Sequence, residues 1–150
     1  MDERLGAKEN ERIGYFEALG MVTALALASE FHRDWSISDV DHNIIPALRV
    51  GQCKIYRDDR GHPTACVTWA VVDKETHSEL LLFGRTPPSG KWSSGPHLWI
   101  IDAIAPFGHP IHLVRDLQRN HFAHLREAHA IRRNPDGSIK RIQTWRNRVL

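Results

Sequence analysis

The stretch from His97 to Ile104 constrains the fold more than any other part of the chain. It reads His-Leu-Trp-Ile-Ile-Asp-Ala-Ile, follows Gly95-Pro96 and runs into Pro106. The run is short, is bounded by breakers and carries three isoleucines, which favours a buried strand over a helix. One carboxylate, Asp102, stands inside it. A charge is costly to bury unless it is paired, so Asp102 needs a partner. A structural hydrogen bond or one of the fifteen arginines would serve. So would a histidine that the carboxylate orients and stabilises in its protonated form.

Helices and hairpins surround this strand. Ile13, Phe16, Leu19, Val22 and Leu25 recur at three-residue spacing, with Leu27 and Phe31 widening the stripe, and predict an amphipathic helix over 11–31. Ser36 or Ser38 caps a short helix to about Ile45, with Asp39 and Asp41 in its first turn, and Pro46 ends it. Residues 50–57 and 63–72 read as strands about the turn Asp58-Asp59-Arg60-Gly61. A helix over 74–83 precedes a Pro-, Ser- and Gly-rich loop over 85–95. Pro110 fits the first turn of a helix to about His121 or Leu125. Strands over 127–133 and 138–145 then flank Asn134-Pro135-Asp136-Gly137. The order predicts a single α/β domain over 1–150, with a mixed, mostly antiparallel sheet flanked by helices and a flexible stretch over 1–10.

With 150 residues and 17.2 kDa, the chain can bury a core without disulfide or metal. Its 41% hydrophobic and 25% charged residues exclude a disordered tail or a fibre. No apolar run approaches the ~20 residues of a membrane-spanning helix. The charged start MDERLGAKENER lacks the apolar core of a signal peptide, so the expected location is cytoplasmic. Cys53 and Cys66 suit buried free thiols in a reducing compartment and are too few for a Cys-only zinc site. The net charge of +2 conceals an asymmetry: Arg115–Leu150 carries nine basic against three acidic residues, and 1–114 eleven against fifteen. The basic C-terminal third suggests an acidic partner.

Ten histidines are many for this length. His32, in Ser29-Glu30-Phe31-His32-Arg33-Asp34-Trp35, stands where the long predicted helix ends. There an imidazole can interact with the last carbonyls, or act as a general base because it titrates near neutrality. Spacing does not show that His32 meets Asp102, 70 residues away. Gly84–Lys91 imitates a phosphate loop. It has five residues between its glycines rather than four, and Trp92 where Ser or Thr should coordinate magnesium. His109/His112 and His121/His124 have chelating spacing, but no acidic or cysteine ligand completes either set, so no metal is expected. These and the remaining histidines read as surface.

Several segments together resemble the toxin-activating lysine acyltransferases, bacterial proteins that attach fatty acyl chains to internal lysines of RTX protoxins such as haemolysin. They are Leu19-Gly20, Ser29-x-x-His32-Arg33-x-Trp35, Ile45-Pro46-Ala47-Leu48-Arg49-x-x-Gln52, Tyr56-Arg57-Asp58 and Pro63-x-Ala65-Cys66-x-x-Trp69-Ala70. The most specific is Trp92-x-Ser94-Gly95-x-x-x-Trp99-x-Ile101-Asp102-x-Ile104-Ala105-Pro106-Phe107-Gly108. Each is weak alone; their order and spacing from Leu19 to Phe122 carry the resemblance. The chain departs from the family pattern in stopping soon after Trp145 and in having Ala103, where the family usually carries Trp.

The resemblance implies a GNAT-like acyltransferase fold, with His32 and Asp102 as the catalytic pair and Ser29 as a serine that influences activity. It implies acyl carrier protein as the acyl-donor cosubstrate, with no tightly bound cofactor, and a protoxin or other polypeptide as acceptor. Arg115 and Arg119, with Arg126, Arg132 and Arg133, then form a basic docking face for the acidic carrier. Val67, Trp69, Trp99, Ile101 and Phe107 are candidate walls for the acyl chain, most of them better read as core. Oxyanion donors are expected near Ser29 or Phe107-Gly108. The alternatives are a same-fold enzyme that lipidates another peptide, such as a natural-product precursor, and a basic nucleic-acid-binding module. The aromatics lack the spacing of an RNA-stacking sheet, so nucleic acid is not the expected partner. A homodimer is left open.

Overall fold

A computed structural model describes residues 13–108, 110–134 and 138–147. The expected flexible stretch 1–10, His109 and most of the turn at 134–137 lie outside the described residues. The elements run α1 (Tyr15–Ala28), α2 (Ile37–Asn43), α3 (Ile45–Arg49), β1 (Cys53–Arg57), β2 (Pro63–Val72), α4 (Lys74–Phe83), β3 (His97–Ile104), α5 (Pro110–Asp116), β4 (Glu127–Arg133) and β5 (Ile139–Arg146). The expected mixed sheet flanked by helices is present. Its order is β1-β2-β3-β4-β5, antiparallel throughout except for the parallel pair β3–β4.

Both faces of the central strands are covered, which is why β2 and β3 read as apolar runs rather than as alternation. On one face, Val67, Trp69, Leu98, Ile100, Ala128 and Ala130 pack with Leu113 and Leu117 of the α5 segment. On the other, Val22 and Leu25 of α1 pack with Cys66 and Ile104, while Leu80 of α4 packs with Ala70, Val72, Trp99 and Ile101.

Helix α1 buries Ala18, Val22, Leu25 and Ala26, and leaves Phe16 82% and Leu27 67% exposed. The expected stripe holds at Ile13, Val22 and Leu25, which are buried, and at Leu19, which packs against them, and fails at Phe16, Leu27 and Phe31. At 100° per residue Phe16 lies about 135° round from the centre of the buried set, whereas the i, i+4, i+7, i+8 positions stay together. Pro46 does not end a helix. It sits in the first turn of α3, where the missing N–H costs no intrahelical bond. The helix from Pro110 is regular only to Asp116 and then widens into a π-turn, with Phe122 N–H bonding to the Leu117 carbonyl at 2.6 Å. Gly95 lies against the strand end at Val72. A Cβ there would stand 2.5 Å from the Asp73 Cα.

Two irregularities of the sheet prepare the site. Thr68 pairs with Asp102 but Trp69 with Ile100, so Ile101 is the extra residue of a β-bulge. Before the bulge the even-numbered Leu98 and Ile100 face α5; after it, the even-numbered Ile104 faces α1. The bulge thus turns Asp102 toward the α1 layer. The second irregularity is the β3–β4 ladder, which joins only Leu98–Ile100 to Ala128–Ala130. Beyond it the two parallel strands continue without pairing, and a wedge opens between them.

Candidate active site

The wedge is the wall of a cavity of about 820 Å³, lined on the sheet side by Ile101, Asp102, Ala103 and Ile131. The segment after α1 closes the opposite side with Phe31, His32 and Trp35. Helix α1 stops at Ser29, whose backbone is extended (φ −95°, ψ 125°) and whose carbonyl accepts the N–H groups of His32 and Arg33. This turn holds His32 directly over the bulged strand. Ser36 then starts α2 with a reciprocal capping box: its hydroxyl accepts Asp39 N–H, and the Asp39 carboxylate accepts Ser36 N–H.

His32 and Asp102 meet. Nε2 of His32 lies 3.2 Å from Oδ1 of Asp102, and Nδ1 lies 2.6 Å from the Ser29 hydroxyl. The side chains of His32 and Asp102 are 11% and 16% exposed, so the pair is largely dry but reachable from the cavity. Trp35 packs edge-on against the imidazole at 4.8 Å. With neutral His32, Nε2–H donates to the carboxylate and Nδ1 accepts from Ser29 Oγ–H. With the imidazolium, Nδ1–H donates to the same oxygen, because a hydroxyl can play either part. The arrangement therefore satisfies both protonation states without moving a heavy atom. Asp102 has no arginine partner among the described residues, and its own N–H bonds to Thr68 Oγ1 at 3.2 Å.

Ser29 is buried behind His32 rather than lining the cavity. Arg115 and Arg119 are exposed on α5 and the π-turn, and neither lines the cavity. Arg132 and Arg133 do line it, together with Lys140 and Arg141 of β5, which no motif picked out. Of the candidate wall residues only Ile101 borders the cavity; Val67, Trp69 and Trp99 are core, and Phe107 is 70% exposed. Cys53 and Cys66 are buried free thiols. The Cys53 thiol beside it, together with full burial, pushes the Cys66 thiol up, so it stays protonated.

The histidines are not all surface groups. His77 of α4 stacks on His97 at 4.1 Å, and its Nδ1 accepts Trp99 Nε1–H at 3.0 Å. His129 of β4 stacks on Trp99 at 4.8 Å. His121 packs against Trp69 at 5.3 Å. Tertiary stacking partners come from separate elements, so spacing along the chain carries no signal for them. Among the described residues, no group of three or more His, Cys, Asp or Glu side chains is placed to hold a metal ion. No helix among them is long and apolar enough to cross a membrane.

The sequence pattern of the RTX toxin acyltransferase family matches residues 11–146. The chain belongs to that family. It is 35% identical over 106 residues to the lysine-acyltransferase RtxC of Vibrio cholerae, covering 71% of this chain and 69% of that protein. It is 33% identical over 136 residues to the RTX-I toxin-activating lysine-acyltransferase ApxIC of Actinobacillus pleuropneumoniae, covering 91% and 77%. It is 36% identical over 110 residues to the leukotoxin-activating lysine-acyltransferase LtxC of Aggregatibacter actinomycetemcomitans, covering 73% and 65%. The family match spans every element from α1 to β5.

Proposed function

We propose that this protein is a protein-lysine acyltransferase of GNAT-like fold that moves a fatty acyl chain from acyl carrier protein to internal lysines of an RTX-type protoxin. The observation that carries the reading is the His32–Asp102 contact at 3.2 Å in the wall of a large cavity. It joins two segments 70 residues apart, each of which independently resembles the family motif.

A free lysine has a pKa near 10.4, so the acceptor arrives as ammonium. Once it is desolvated in the wedge, it gives a proton to Nδ1 of His32, the nitrogen left basic while Nε2–H donates to Asp102. The ring turns Nδ1 from the buried Ser29 hydroxyl toward the cavity to take it, and Asp102 and the Ser29 oxygen hold the imidazolium when it turns back. The neutral amine attacks the thioester carbonyl on the phosphopantetheine arm. The C–N bond forms, the C–S bond breaks, and the imidazolium returns its proton to the departing thiolate. The attacking nitrogen, cationic once bonded, sheds its second proton to the regenerated His32 and thence to solvent. The products are the amide, the free carrier thiol and one proton. Backbone N–H groups on the edge of β3 that the β4 ladder leaves open supply the oxyanion donors. Ile101, Ile131 and Phe31 give the acyl chain an apolar surface.

The test is incubation with acyl carrier protein loaded with several chain lengths and an RTX protoxin fragment, read by intact mass. The expected result is one acyl increment per modified lysine. A mass unchanged for every chain length overturns the reading.

A further inference from the structure

We propose that the cavity end of the β4–β5 hairpin, with Arg132, Lys140 and Arg141 at its centre, is the surface on which the acidic carrier protein docks. This rests on the carrier-dependent reading above.

The hairpin places Arg132 directly opposite Arg141 in the antiparallel ladder. Like charges so placed repel and weaken the pair. No carboxylate among the described residues lies within ion-pair distance of Arg132, Lys140 or Arg141. At its other end the hairpin pairs a cation: Arg146 meets Glu127 at 3.2 Å. Arg133, beside Arg132 and also on the cavity, donates to the Gly84 carbonyl at 2.7 Å. Arg132, Lys140 and Arg141, without a carboxylate partner among the described residues, all border the cavity containing His32 and Asp102.

The opposite rim has the reverse sign, with Glu30, Asp34 and Asp39 on the α1–α2 side. An acidic partner is repelled from that rim and drawn to the hairpin, which fixes its direction of approach as well as its affinity. From there the phosphodiester of the phosphopantetheine arm meets guanidinium groups suited to phosphate, and the thioester enters the wedge between β3 and β4. Arg115 and Arg119 do not line this entrance.

The experiment compares wild type, Lys140→Glu/Arg141→Glu, Arg115→Glu/Arg119→Glu and Arg60→Glu, the last in the β1–β2 turn at the far edge of the sheet. Steady-state acylation at low salt is combined with an anisotropy titration of labelled carrier. The hairpin double variant should raise KM for acyl carrier by roughly tenfold or more while kcat stays within about twofold, as expected for lost docking charge. Its KM for the acceptor should not move, and added salt should raise the wild-type KM more than its own. Its melting temperature should not fall, because the carboxylate introduced by Arg141→Glu faces Arg132. Arg60→Glu should match wild type. An unchanged carrier KM, or a larger rise from Arg115→Glu/Arg119→Glu, overturns the docking site and leaves the enzymatic reading standing. If wild type neither binds carrier nor accepts acyl groups from it, the carrier-dependent reading falls, and this site with it.

Discussion

Two groups of histidines show how position decides what an imidazole does. His32 stands at the mouth of a cavity, between a carboxylate and a hydroxyl, with satisfied hydrogen bonds in either protonation state. His77 of α4 and His129 of β4 lie against Trp99, and His97 stacks on His77. There, burial pushes the pKa of His77 down, helped by the neighbouring imidazoles, and burial likewise pushes His129 down despite the opposing pull of Glu127. Nδ1 of His77 accepts a hydrogen bond from Trp99, a role only the neutral ring can fill. His77 is placed to stay neutral and pack. His129 sits, like His32, between a carboxylate and a hydroxyl, Glu127 at 3.2 Å and Thr144 at 2.8 Å, but it lies in the packed layer, where burial outweighs Glu127 and holds its pKa down. What sets His32 apart is the cavity it borders.

The sharpest way to break this contrast is to remove His32. His32→Ala should lower acyl transfer by ~10³-fold, within the range for a lost general base. Its melting temperature should stay close to wild type. Retained activity would show that the contact with Asp102 is structural. Asp102→Asn keeps the shape but loses the charge that supports the imidazolium, and a loss of ~10²-fold or more is expected by analogy with other dyads. Ser29→Ala removes one hydrogen bond to Nδ1, and at about 1 kcal/mol the expected loss is roughly five- to tenfold. If Ser29→Ala costs as much as His32→Ala, Ser29 does more than hold the ring, and the ranking proposed here is wrong.

The sequence reveals the two ends of this site but not their junction. The strand over 97–104 is legible because breakers bound an apolar run, and the β1–β2 hairpin because Asp58–Gly61 is a turn between β-rich segments. His32 and Asp102 are legible as unusual residues in their settings. What joins them is the bulge at Ile101, and an isoleucine in an apolar strand gives no sign of one. Strict alternation would put Asp102 on the α5 face with Leu98 and Ile100. The wedge is equally hidden, since it depends on where a parallel ladder stops pairing. The cations of β5 count in the charge arithmetic, but only the register shows Arg141 opposite Arg132.

The packed group is tested through stability. Trp99→Phe removes the indole donor and leaves a half-buried acceptor on His77, with part of a cavity where the buried indole was. The expected cost is about 1–3 kcal/mol in denaturant unfolding. His32→Ala, assayed in parallel, should not show this loss. An equal loss in both variants would erase the distinction between the two groups.

The smallest expected effect is also the most specific. Folded-state pKa values of His77 and His129 lie below the ordinary value of 6.5. The unfolded chain therefore binds protons more readily than the folded one in this range, and stability rises with pH wherever that holds. The contribution is fully present above the unfolded value and is lost as pH falls from about 6.5 toward the lowered folded values. The groups facing the pair bear on its size: His97 opposes protonation of both, Glu127 favours it, and Arg146 opposes it at His129. Replacing His77 and His129 together by Phe should flatten the decline in melting temperature between pH 7 and pH 5 relative to wild type, whereas His32→Ala should leave the decline at these two sites intact. An equally steep decline in the double Phe variant would place the acid sensitivity elsewhere and remove the grounds for calling the Trp99 group a neutral one.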